Sequence, residues 1–134
     1  MFPFSHHNKL QPALEYCQQH HRVLGAGQTL SPKQVTMITH TPLFHEAESQ
    51  THAMGLSNYG GLAWFCARFL ENGLTQREKG EEITAEIEEL SEKIASVALC
   101  LGDSIPSLDL TTADIDAVLN AGETAMQWLD STAK

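Results

Sequence analysis

Apolar side chains recur along most of this sequence at spacings of three and four residues, which is the period of a helix buried on one side. No segment shows the alternation of apolar and polar residues, bounded by turns, that indicates a β-strand. We therefore predict an all-α fold, a small bundle of about five helices in a single domain over residues 1–134, with residues 1–10 as a flexible N-terminal segment. The predicted helices cover residues 12–24, 31–41, 42–71, 75–101 and 111–130.

The starts of these helices are predicted from capping residues. Ser31 and Thr75 are each followed three positions later by Gln or Glu, which is the pattern of a capping box. Thr41 precedes Pro42, and proline fits the first turn of a helix because its missing N–H is not needed there. Thr111, with an acidic residue three positions on, marks the start of the last helix.

Residues 42–71 contain glycines that leave two alternatives open. An interior glycine costs a helix about 1 kcal/mol relative to alanine. The presence of Gly55, Gly60 and Gly61 in one predicted helix therefore indicates a structural role for them. Either the segment bends or breaks between Gly55 and Gly61, which makes it one kinked helix or two, or another helix packs closely over Gly60 and Gly61.

The last two helices are predicted to form an antiparallel hairpin around the loop at 103–110. The fourth carries an apolar seam at spacings of 4, 3, 4, 3 and 4, formed by Ile83, Ile87, Leu90, Ile94, Val97 and Leu101. Such a seam suits the core of a bundle, and it also suits a homodimer. The inner stripe of the fifth helix is predicted to be Ile115, Val118, Leu119, Gly122, Ala125, Met126 and Leu129.

Charge is distributed unevenly. The 134 residues include 8 Lys+Arg and 17 Asp+Glu, a net charge of −9. Residues 1–60 hold three basic and three acidic side chains, so their net charge is zero. Residues 61–134 hold five basic and fourteen acidic side chains and therefore carry the entire net charge of −9. This balance argues against direct nucleic-acid binding, which needs a basic surface. The absence of a long apolar run argues against a membrane span, and three cysteines without a CxxC motif favour a reducing cytoplasm.

The acidic residues concentrate around the start of the fourth predicted helix. Only Arg77, Lys79 and Lys93 oppose them there. The pattern is typical of a solvated face that keeps a protein soluble, or of a surface that docks on a basic partner. The candidate partner-binding residues are Glu78, Glu81, Glu82, Glu86, Glu88, Glu89 and Glu92.

All seven histidines lie within the first 52 residues. His45, Glu48 and His52 stand at i, i+3 and i+7, so they project to one side of a helix, and imidazole with carboxylate suits Zn, Fe or Mn. Cys17, His20 or His21 could add a ligand from a neighbouring helix. The same histidines could instead sense pH, because histidine is the residue type whose unperturbed pKa, near 6.5, lies closest to neutral pH.

The sequence thus predicts a non-enzymatic, acidic helical interaction protein of the cytoplasm, without a cofactor. It would act as an inhibitor, adaptor or regulator by docking on a protein with a basic surface, including one that itself binds nucleic acid. The first alternative is a helical protein that binds a metal through His45, Glu48 and His52. The second is an enzyme in which Cys17 or Cys66 meets a histidine only in the folded chain.

Overall fold

The computed structural model describes residues 10–20 and 30–132, and these ranges form six α-helices without a β-strand. The predicted all-α bundle is confirmed. Of the predicted flexible segment, only Leu10 is described, and it is fully buried. In the described ranges no helix is both long and apolar enough to cross a membrane. The helices are α1 (Gln11–His20), α2 (Pro32–Thr39), α3 (Pro42–Ala53), α4 (Asn58–Glu78), α5 (Ala85–Asp103) and α6 (Thr112–Thr132), with a 3₁₀ turn at Ile105–Ser107.

Residues 42–71 form two helices because α3 ends in a Schellman motif at Gly55. Gly55 adopts a positive φ of 68°, a conformation that glycine reaches without steric cost. The Leu56 N–H then donates to the carbonyl of Thr51 at 2.9 Å, as that motif requires. Ser57 caps the next helix by accepting from the Gly60 N–H.

The predicted start of the fourth helix at Thr75 is wrong. Thr75 lies inside α4, which continues to Glu78 and ends in a second Schellman motif around Gly80, with φ 75°. There the Glu81 N–H donates to the carbonyl of Gln76 at 2.8 Å. The true cap of α5 is Thr84, whose side chain accepts from the Ile87 N–H at 3.2 Å.

The core lies where α4, α5 and α6 pack together, with α1 and α3 against α4. The seam of α5 serves this core, since Leu90, Ile94, Val97 and Leu101 are buried. Phe44 of α3 meets Phe65 of α4 edge to face, with ring centroids 5.4 Å apart. The 3₁₀ turn joins α5 to α6, which form the predicted antiparallel hairpin.

The predicted inner stripe of α6 is wrong in part. Leu119 and Met126 are each 57% exposed. The buried residues of α6 instead recur at spacings of 4, 3, 4 and 3, because the helix is rotated to place Trp128 against Gly73 of α4 and Asp114 beside Gly60. They are Asp114, Val118, Ala121, Ala125 and Trp128, and Thr124, next to Ala125, is also buried.

The starts of α4 and α6 are joined by Asp114, a fully buried carboxylate. It accepts from the Ser57 N–H at 2.8 Å and from the Thr111 N–H at 3.1 Å. A Cβ at Gly60 would collide with its Oδ1 atom, and a Cβ at Gly61 would collide with Thr51. Close packing over Gly60 and Gly61 is therefore confirmed, together with the break at Gly55.

Candidate functional site

The seven predicted glutamates surround the junction between α4 and α5 and do not lie on one helix. Glu78 ends α4, and Glu81 and Glu82 lie in the non-helical connection. The rest stand in the first turns of α5, and all but Glu88 are exposed. We call this set the acidic junction; it consists of Glu78, Glu81, Glu82, Glu86, Glu88, Glu89 and Glu92.

Two glutamates of the acidic junction are already paired with cations. The Arg77 guanidinium donates to Glu88, and the Lys93 ammonium lies 3.4 Å from the Glu89 carboxylate. Gln34 of α2 extends the second pair by accepting from Lys93 at 2.9 Å and donating to Glu89 at 3.3 Å. Within residues 10–20 and 30–132, the remaining five glutamates of the junction make no ion pair.

A cavity of about 390 Å³ opens beside the acidic junction. Its volume lies in the range of small-molecule and side-chain pockets. Phe69, Ile83 and Ile87 give it apolar walls, while the exposed Glu82 supplies a carboxylate. The complete lining is Phe69, Asn72, Gly73, Gln76, Glu82, Ile83, Thr84, Ile87 and Ser91. Apolar walls with one carboxylate match the aliphatic stem and charged end of Lys or Arg.

Glu86 and Glu89 face a different environment. They line a smaller cavity of about 210 Å³ between α2 and α5, together with Lys33 and Lys93. Charge there is close to balanced, so the strongest unbalanced part of the junction lies on the side of Glu82.

The predicted histidine set lies on α3, with His45 and His52 exposed and the Glu48 side chain largely buried, at 11% exposure. The Nδ1 atom of His45, whose side chain is 59% exposed, lies 3.9 Å from Glu48 Oε1. Among the residues that the structure describes, no three His, Cys, Asp or Glu side chains are grouped so that they could hold a metal ion. His21 and the side chain of His20 lie outside those residues. The metal-binding alternative stays a prediction.

All three cysteines are buried, and none of them forms a disulfide. The Cys100 thiol donates to the Cys17 carbonyl at 3.5 Å. A hydrogen bond from Cys100 and burial raise the pKa of Cys17 far above its usual range, and burial likewise raises the pKa of Cys66. A protonated thiol is a poor nucleophile. The arrangement therefore gives no support to the predicted cysteine enzyme.

The sequence prediction missed a second surface, formed by α5 and α6. A groove of about 470 Å³ runs between them, and we call it the α5–α6 groove. Its lining is Leu99, Gly102, Asp103, Val118, Leu119, Gly122, Glu123 and Met126. The signal was present in the sequence, because α6 carries two adjacent helical stripes. Only the stripe that contains Trp128 enters the core, which leaves Leu119 and Met126 outside.

Comparison with family models, with curated proteins and with solved structures finds no match for this chain.

Proposed function

We propose that this protein is a non-enzymatic interaction protein that docks on a basic surface of a partner protein through the acidic junction. It would act as an inhibitor, adaptor or regulator by occupying that surface. No bond is made or broken in such a role, and no cofactor is needed. The chemistry of recognition is the pairing of carboxylates with Lys or Arg side chains.

The observation that carries this proposal is the cavity beside Glu82. A basic side chain entering it would place its methylene groups against Phe69, Ile83 and Ile87 and its charge near the Glu82 carboxylate. Glu78 and Glu81 stand nearby in sequence without ion pairs in the described part of the chain. Their field would steer a cationic partner toward the same cavity.

The test uses a fluorescent peptide of alternating Arg and Ala, which is basic and has no apolar helix face. Its binding to the full chain is measured by fluorescence anisotropy at low ionic strength and again at about 0.5 M salt. Glu82→Gln is expected to weaken binding about threefold to tenfold, and high salt is expected to weaken it further.

Glu46→Gln is the matched control, because Glu46 is an exposed glutamate on α3 that lines neither of the two cavities at the junction. It removes the same charge from the molecule and is expected to leave the affinity nearly unchanged. An equal loss in both variants would reduce the effect to net charge, and the proposed docking role of the junction would be wrong.

A further inference from the structure

The α5–α6 groove exposes apolar side chains that the fold does not use. Three large hydrophobic residues are exposed in the described part of the chain, and two of them, Leu119 and Met126, line this groove. They stand seven residues apart, so they project from the same face of α6, two turns and about 10 Å apart along its axis. Leu99, partly buried on α5, continues the apolar surface across the groove.

At two positions of the groove the packing of the fold does not require glycine. A Cβ at Gly102 or at Gly122 would meet no other atom within 4 Å, and neither residue has a positive φ. By contrast, a Cβ at Gly60, Gly61 or Gly73 would collide with a neighbour. Glycine inside a helix is disfavoured relative to alanine. Gly122 lies between Leu119 and Met126, so its missing side chain leaves a notch in the middle of the apolar strip.

Charge around the groove has one sign. Residues 94–133 contain six acidic residues and no Lys, Arg or His. Asp103 and Glu123 line the groove itself, and Asp116 and Asp130 stand one turn beyond each end of the apolar strip on α6. All four are exposed. An apolar strip with an acidic rim is complementary to an apolar strip with a basic rim.

We infer that the α5–α6 groove binds an amphipathic helix of a partner protein, with apolar residues seven positions apart and Lys or Arg beside them. Such a helix would set its apolar residues against Leu119 and Met126 and its close-packed backbone over Gly122. Its cations would pair with Asp103 and Glu123. This site is separate from the acidic junction, and the inference goes beyond the proposed function.

Two other occupants fit less well. A second copy of this chain would bring one acidic rim against another, and like charges at an interface oppose association. An anionic lipid surface would meet the same repulsion. A basic helix is the occupant for which both the apolar strip and the charges are favourable.

The probe is a synthetic peptide of Leu and Lys, about 18 residues long, in the helical order that puts every Leu on one face. A scrambled peptide of the same composition has the same charge and no apolar face. Isothermal titration with the full chain is expected to give saturable binding of the ordered peptide, at least about tenfold tighter than that of the scrambled one.

The variants separate the groove from the rest of the surface. Met126→Gln is expected to weaken binding of the ordered peptide about tenfold, whereas Met54→Gln, a matched change of an exposed methionine on the surface after α3, leaves it unchanged. Gly122→Ala is expected to weaken it severalfold by filling the notch. Circular dichroism checks that each variant remains folded.

The inference is overturned if Met54→Gln weakens binding as much as Met126→Gln, or if the ordered and scrambled peptides bind equally. It is also overturned if sedimentation shows a dimer of the wild type that Met126→Gln dissociates, because a second copy then covers the groove. Glu82→Gln serves as a cross-check: it should reduce binding of the Arg–Ala peptide and spare the Leu–Lys peptide, so either site can fail without the other.

Discussion

Individual glycines in this protein separate into two kinds according to the room left for a side chain. The lack of a side chain at Gly60 allows the buried Asp114 to lie close to α4. The lack of one at Gly73 allows the Trp128 ring to pack there, because a Cβ on Gly73 would lie only 2.8 Å from the nearest ring atom. A Cβ on Gly122, by contrast, would point into open space. The first kind is required by packing within the fold, whereas the second is not, and it weakens its own helix.

This difference predicts opposite effects of the same substitution. Gly122→Ala should raise the free energy of unfolding by about 1 kcal/mol, because alanine is the better helix former. Gly60→Ala should lower it by about 1–3 kcal/mol, because the new methyl group must displace Asp114 from the amides that it accepts from. Urea unfolding followed by circular dichroism measures both.

Gly102→Ala is the control for the first effect, since it has the same open surroundings on α5. It should stabilise the protein or leave it unchanged. A gain in stability for Gly60→Ala would contradict the close approach of Asp114 to α4.

At the residue level the acidic character of the junction was predictable, and its ion pairing was predictable only in part. Exposure of Glu78, Glu81 and Glu82 follows from charge alone, because an unpaired carboxylate is seldom buried. The pair of Glu88 with Arg77 depends on how α4 and α5 meet, whereas Glu89 and Lys93 form an i, i+4 pair within α5, to which tertiary packing adds only Gln34 of α2.

At the scale of helices, Arg77 ties three elements together at one end of the bundle. It lies in the last turn of α4, and its guanidinium sits 3.7 Å from the centre of the Trp128 ring of α6. The same group donates to Ser131 of α6 at 2.6 Å and to Glu88 of α5. The Arg77 guanidinium thus links the end of α4 to the end of α6 and to the start of α5.

Arg77→Lys should therefore lower the free energy of unfolding by about 1–2 kcal/mol. A lysine keeps the charge, but it cannot stack on the ring and donate in two other directions at once. Differential scanning calorimetry of the variant measures the loss.

Arg68→Lys is the matched control, because Arg68 also lies near a tryptophan and pairs with a glutamate, both within α4. Its side chain is 54% exposed, compared with 21% for Arg77. The control should change stability by less than about 0.5 kcal/mol. Equal losses in the two variants would show that Arg77 does not link the helices.

Some helix boundaries are set by capping residues nearby in sequence, and others are set by tertiary packing. The caps at Ser31 and Thr41 were predicted and are present, because a capping hydroxyl bonds to an amide three residues away. The predicted cap at Thr75 failed, because α4 continues through it beside Trp128, and Gly80 offers the stop only after Glu78.

At the scale of the whole molecule, the buried thiols make stability depend on pH. In the unfolded chain a cysteine has a pKa near 8.5. In the folded chain a hydrogen bond from Cys100 together with burial raises the pKa of Cys17 well above that range, and burial raises the pKa of Cys66. Above about pH 8.5 the unfolded state therefore loses protons that the folded state keeps. Stability is retained below that pH and falls as pH rises.

Between about pH 8.5 and 9.5, each of these thiols should remove about 1 kcal/mol from the free energy of unfolding. Urea unfolding across this range measures the slope. In Cys66→Ala the loss of stability across this range should be smaller by about 1 kcal/mol, whatever the variant does to stability at neutral pH. A wild-type protein whose stability is flat across this range would contradict the protonated core thiols.

Features that depend on neighbours within a turn or two of helix were predictable from the amino-acid sequence. These features are the helical character of the chain, the helix starts near Ser31, Thr41 and Thr111, and the apolar seam of α5. Helical period and capping are set by hydrogen bonds and side chains only a few residues apart.

The buried side of α6 depends on packing between distant parts of the chain, because two apolar stripes were available and the local pattern cannot choose between them. The fit of Trp128 over Gly73, and of Asp114 beside Gly60, joins residues more than fifty positions apart and sets the rotation of the helix. That rotation turns Leu119 and Met126 outward and forms the α5–α6 groove.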